Sequence, residues 1–208
     1  MSYVRFDDFQ KLHKVFDLDH KSENLFEGVL PIEPSVFLQT AIERANKIGF
    51  KTDKEIAERI VSSVLLEVIG YFEEDFTLYS GHDLDVDIDK GLKGEIDFMV
   101  TYGKHQYYPR NPVFSLVASR WISVGLPQSI AQLIGIQAHN EKEKEPKGID
   151  YFYGCATDGK TWEFFKLKNN QIIMDNQRHQ HRDIAVVLGI FKHIFENFKT
   201  QLQNDNNE

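Results

Sequence analysis

Hydrophobic residues along the chain fall into blocks of helical and strand period. Phe6, Phe9, Leu12, Val15 and Phe16 recur at helix-like spacing, which predicts a short amphipathic helix. Turn signals with Pro31 and Pro34 follow, and Ser35 is placed to cap a helix over 36–47 that Gly49 ends. Asp53 reads as the N-cap of a longer helix running to about Phe72. Its stripe of Ile56, Ile60, Val61, Val64, Leu65 and Val68 implies burial against a sheet. A short strand is predicted over 76–79, with a turn at Ser80-Gly81. Asp83, Asp85, Asp87 and Asp89 then alternate with Leu84, Val86 and Ile88, which predicts a strand with one solvated acidic face. The same spacing resembles a calcium loop, but Ile88 stands where that loop needs glycine.

The second half changes period. After a turn over 90–94, Glu95-Ile96-Asp97-Phe98-Met99-Val100 forms a strand with a carboxylate set in an apolar run. A polar, aromatic loop over 102–111 leads to Pro112–Ala118, an apolar run of the length of a buried central strand. Pro127 suits the first turn of a helix over 127–139, with Gln128 and Gln132 one turn apart on its polar face. Residues 141–147 read as an exposed charged loop. Asp158-Gly159 between apolar runs over 151–157 and 161–167 is a hairpin signal, and another short strand follows over 171–174. His179 and His181 alternate in a segment read as a solvated loop, with metal binding as the rarer alternative. The last helix is predicted over 183–199. Helices flanking a mixed central sheet give an α/β or α+β domain with one core.

Composition adds limits rather than a function. With 41% hydrophobic and 27% charged residues, the 208-residue chain has apolar material for a sizeable core. No run approaches a membrane span, and no basic region followed by an apolar stretch opens the chain, so no signal peptide or membrane partner is expected. A cytoplasmic location is the default. Cys155 is the only cysteine, which excludes an intrachain disulfide and a zinc site of several thiolates. A net charge of -8 argues against a broad nucleic-acid-binding face, though not against a local basic groove.

The chemistry concentrates at Asp97. An ionised carboxylate entering a core strand must be paired, hydrogen-bonded or on a metal. From spacing alone, a strand-end aspartate bonded to nearby backbone amides is the favoured reading, ahead of a functional group. Glu55, Glu58 and Glu67 on the preceding helix read as solvated surface.

Several pieces in order resemble the PD-(D/E)XK nuclease superfamily, and in particular a group of small, largely uncharacterised bacterial proteins within it. They are the helix Ala57–Val68 with Glu58; Leu78-Tyr79-Ser80-Gly81 with Leu84-Asp85-Val86-Asp87; Gly91-Leu92-Lys93-Gly94 with Asp97-Phe98; the strand Pro112–Ala118; Gly125-Leu126 with Gln128 and Gln132; and Tyr153-Gly154 through Thr157, Gly159, Trp162, Phe164 and Leu167. The resemblance covers residues 51–195. It implies a restriction-endonuclease-like core over 51–200, preceded by an N-terminal helical extension over 1–50 and followed by a polar, disordered tail over 201–208. It also implies a first-motif aspartate at Asp97, a helix glutamate at Glu58, magnesium as cofactor and DNA as partner. Magnesium suits such carboxylates because it takes hard oxygen ligands, acidifies a bound water and stabilises charge on phosphate oxygens.

The second motif departs from the family pattern. Where the resemblance calls for Val-Glu-Ala-Lys, the chain has Val117-Ala118-Ser119-Arg120. Ala118 supplies no ligand. Arg120 keeps a charge that grips phosphate but stays protonated, which makes it a poor general base. Glu95 leaves the strand on the same face as Asp97, about 7 Å away along it, so Glu58, Glu95 and Asp97 form a candidate weak metal set with Gln132 as a neutral oxygen donor. The expected function is a nuclease-like protein with an impaired centre, its candidate catalytic residues being Asp97, Arg120, Glu95 and Gln132. The alternatives are an active magnesium-dependent DNA endonuclease rebuilt around Glu95 and Asp97, and a non-enzymatic binding module, for instance a homodimer joined through its N-terminal helices or a sheet edge.

Overall fold

In the computed structural model, which describes residues 2–72, 75–104, 108–144 and 149–205, one mixed eight-stranded sheet is flanked by helices. The central segment runs helix, three-strand meander, crossover helix, strand. The opening helix is α3 (Asp53–Ile56), which passes through a π-helical turn (Ala57–Val61) into α4 (Ser62–Gly70). The meander comprises β2 (Phe76–Asp83), β3 (Glu95–Tyr102) and β4 (Pro112–Ala118), each antiparallel to the next. The 22-residue helix α5 (Ile122–Glu143) crosses over to β5 (Phe152–Thr157), which lies parallel to β4. A hairpin to β6 (Thr161–Lys168), then β7 (Gln171–Asp175) and the two-residue β8 (His179–Gln180), extends the sheet before α6 (Ile184–Asp205) closes it. With the edge strand β1 (Asp19–Glu23) included, the strand order is β1-β7-β6-β5-β4-β3-β2, with β8 beside β6.

Alternation along the strands divides the core between the two faces. Phe98, Val100, Phe114, Leu116, Cys155, Trp162 and Phe164 pack with α4 and α6. Met99, Ala156, Phe165 and Leu167 pack with α5 and the N-terminal segment. Covered on both sides, β4 is buried at every position, as its unbroken apolar run predicts.

The N-terminal fifty residues are more integrated than a helical extension. Only α1 (Phe9–His13) and a 3₁₀ turn (Tyr3–Arg5) precede β1 (Asp19–Glu23), which joins the sheet edge parallel to β7. That strand reads Asp-His-Lys-Ser-Glu, so no hydrophobic alternation announces it. Tyr3 and Phe6 are fully buried, and the Tyr3 hydroxyl donates to the carbonyl of Leu84. Helix α2 (Val36–Ile48) begins as predicted, its Ser35 hydroxyl accepting from the Leu38 N–H.

Three other expectations change. The alternating aspartates do not form a strand: β2 ends at Asp83, and Asp85 and Asp87 instead accept from the N–H groups of Gly94 and Lys90 to shape a turn. Helix α5 starts at Ile122 and runs to Glu143, so Pro127 lies inside it, and the charged run over 141–147 is helical through Glu143, with Lys144 as its left-handed C-cap. His179 is a core residue rather than part of a solvated loop: it meets Asp175 at 2.7 Å and packs against Phe26 and Phe164. Part of the aromatic loop over 102–111 lies outside the described residues, as does the end of the charged run. Helix α6 takes in 201–205 of the expected tail, and the remainder is outside the described residues. Among the described residues no helix is long and apolar enough to cross a membrane.

Candidate active site

The site forms where the C-terminal ends of the parallel strands β4 and β5 meet the start of α3. Ala118 is in register with Thr157, and the Ser119 N–H donates to the Thr157 carbonyl. Crevices at the carboxyl ends of neighbouring parallel strands are the usual binding positions of α/β sheets.

Asp97 enters this end from β3. Its neighbours Ile96 and Phe98 are buried and hold the strand in place, leaving the Asp97 carboxylate partly covered. One oxygen accepts from the Ala118 N–H at 2.9 Å. Desolvation by burial is the main force on its pKa, which rises to about 6; the Ala118 hydrogen bond opposes this, and the charges of Glu95 and Asp53 add to it. Asp97 is thus bonded to a backbone amide, as its structural expectation has it, and stays a perturbed carboxyl beside other acids.

Glu95 is exposed and stands beside Gly81. A Cβ placed on Gly81 would lie 3.7 Å from the Glu95 carboxyl carbon. Gly81 has φ +67 and lies across from Asp97, between the registered pairs Ser80–Phe98 and His82–Ile96. A side chain there would be strained and would crowd the space beside the two carboxylates.

Asp53 is the site residue that pattern reading misses. Read as an N-cap, its carboxylate would be spent on its own helix. The cap is instead Thr52, which forms a capping box with Glu55. Asp53 is thereby released to accept from the Arg120 N–H at 2.8 Å, which fastens the first turn of α3 to the end of β4. The signal was present in Thr52-Asp53-Lys54-Glu55, since a threonine three residues before a glutamate marks a capping box.

The other predicted residues are placed differently. Glu58 is exposed and faces Lys54 at 3.8 Å; among the described residues, the acidic charges that bear on Asp97 are those of Glu95 and Asp53. Arg120 turns its guanidinium over the ring of Trp121, 5.9 Å from the centroid. Gln132 is fully buried on α5, and neither its side-chain oxygen nor its nitrogen has a partner among the described residues. The α5 backbone at Gly125 lies against Ser119, and Asn140 donates to the Pro112 carbonyl, so Gln132 sits midway along β4. It is about 10 Å down the helix axis from Gly125.

Chemically, the site offers one partly buried carboxylate, two exposed carboxylates and a backbone amide where the second-motif acid is expected. No group of three or more His, Cys, Asp or Glu side chains that could hold a metal ion occurs among the described residues. Comparison with family models gives no match for the chain, and comparison with curated proteins gives none either.

Proposed function

We propose that the chain is a PD-(D/E)XK-like protein that keeps the nuclease core and its nucleic-acid-facing end but has an impaired phosphodiesterase centre. Two features support the reading: the order of helix, three-strand meander, crossover helix and parallel strand, and the position of Asp97 at the strand ends. The observation that carries the impairment is the methyl side chain at Ala118, a position whose backbone N–H reaches Asp97 and which therefore adjoins the carboxylate without adding a ligand. Position 118 brings its backbone donor to the carboxylate but no second carboxylate to an ion. A magnesium site short of one charged ligand loses both a bond and a charge.

The test is Mn²⁺ binding followed by electron paramagnetic resonance on the natural protein, Ala118→Glu and Asp97→Ala. The reading predicts weak binding by the natural protein, binding at least tenfold tighter in Ala118→Glu, and loss in Asp97→Ala. Equal binding by the natural protein and Ala118→Glu overturns it.

One observation favours a second reading, an active magnesium-dependent DNA endonuclease with a rearranged site. Glu95 and Asp53 both raise the Asp97 pKa, so three carboxylates share one end of the sheet. In that reading Asp53 and Glu95 replace the acid missing at position 118, and Mn²⁺ binding falls on Asp53→Asn as much as on Asp97→Ala.

A further inference from the structure

Trp121 is 63% exposed at the rim of the candidate site, whereas Trp162 is completely buried. Its backbone is held in place. The Ser119 hydroxyl donates to the Trp121 carbonyl at 3.2 Å and accepts from its N–H at 3.4 Å, and the Gly125 backbone is pressed against Ser119. Arg120 lies over the indole. An ordered tryptophan turned towards solvent, with a guanidinium over its ring, still leaves apolar ring surface exposed.

Four exposed cations stand at this end of the sheet, among the carboxylates of Asp53, Glu95 and Asp97. Lys51 and Lys54 flank Asp53 at the start of α3, which Asp53 fastens to the Arg120 backbone. Lys160 lies in the β5–β6 turn, which also packs here: Gly159 abuts Phe50 and Ile56, and the Lys160 ammonium lies 6.0 Å from the Phe50 ring centroid. All four side chains, Lys51, Lys54, Arg120 and Lys160, are exposed. Lys54 is opposed by Glu58 at 3.8 Å across a solvated gap, where an ion pair is worth little. A π-face among spaced cations matches an unpaired nucleotide strand, with a base stacked on the ring and phosphates on the cations. A closed duplex has its base faces stacked internally and presents only phosphates and groove edges.

We infer that Trp121 is a stacking platform for an unpaired nucleobase and that this end of the molecule binds single-stranded nucleic acid in preference to duplex. The inference rests on the nuclease-like reading above and supplies its substrate class.

Fluorescence tests it directly, because Trp121 is the only solvent-facing tryptophan. Thymidine oligonucleotides and a duplex of equal length are titrated at low salt, without added metal. The single strand is expected to change the emission saturably and to bind at least tenfold tighter than the duplex. With the reporting ring gone, the variants are followed by the fluorescence anisotropy of a dye-labelled oligonucleotide: Trp121→Ala should weaken that binding about tenfold or more, and Trp121→Phe should restore most of it. Arg120→Gln should reduce the salt dependence of binding by about one counterion. The emission of Trp162 reports that each variant is folded. Single-strand binding unchanged in Trp121→Ala, or duplex bound as tightly as single strand without a change in emission, overturns the inference and leaves the nuclease-like reading standing. Failure of both polymers to bind overturns both.

Discussion

Replacing Asp97 with asparagine keeps the shape of the side chain and removes its charge. The amide oxygen of asparagine accepts from the Ala118 N–H as the carboxylate does. What changes is the penalty for holding a charge in a partly buried site beside Glu95 and Asp53. The carboxyl pKa is about 6 in the folded chain against 3.8 as its ordinary value. A raised carboxyl binds its proton more tightly folded than unfolded, so it lowers stability as pH rises from about 4 to about 6 and has no further effect above that. The full span corresponds to about 3 kcal/mol, which partial solvent access reduces to about 1–2 kcal/mol. Asp97→Asn should therefore be more stable than the natural protein by about 1–2 kcal/mol at pH 7.5, and within about 0.5 kcal/mol of it at pH 4. Urea denaturation of both proteins at the two pH values measures this, and the difference between them cancels the other titrating groups. A variant no more stable at pH 7.5, or a difference independent of pH, would refute the account of Asp97 as a strained, ionised carboxylate. A group kept at such a penalty is characteristic of a working site.

Further outcomes follow from the same contacts. Thr52→Ala removes the capping box that frees Asp53 and should lower stability by about 1 kcal/mol in urea denaturation. Gly125→Ala gains helix propensity, but its Cβ would come within 2.8 Å of the Ser119 Cβ, so thermal denaturation should show a net loss of about 1–3 kcal/mol. Gln132→Met removes two buried polar atoms that have no partner among the described residues, at nearly equal volume; it should stabilise by about 1–2 kcal/mol, and a loss of stability would show that Gln132 has a polar role.

Much of the fold is legible along the chain because its signals are local. The Ser35 cap, the stripe from Ile56 to Val68, the unbroken apolar run of β4 and the Asp158-Gly159 turn each specify their own element. The elements that escape are those made by distant partners. β1 has no apolar alternation and forms because the edge of β7 accepts it. The Asp83–Asp89 alternation resembles a strand, yet Asp85 and Asp87 are used by backbone amides of the following turn. Helix α5 carries Pro127 in its interior, so the proline marks neither end.

The site shows the same division. Asp97 is recognisable because a charge interrupts a core strand, and Glu95 because strand period places it on the same face. Glu58 follows helix geometry outward to Lys54, and no sequence spacing reveals how α3 is rotated against the sheet. Asp53 gains its place only through the Arg120 backbone, 67 positions away. Trp121 is separated from the buried Trp162 by exposure, which periodicity does not report at the end of a strand.

The central claim, a nuclease-like scaffold disabled at its second motif, is tested most directly by plasmid cleavage with Mg²⁺ and with Mn²⁺, comparing the natural protein with Ala118→Glu/Arg120→Lys. The account predicts cleavage by the double variant and little or none by the natural protein, with Asp97→Ala abolishing the gain. Cleavage by the natural protein that depends on Asp97 would contradict it and turn attention to Asp53 and Glu95 as the replacement ligands.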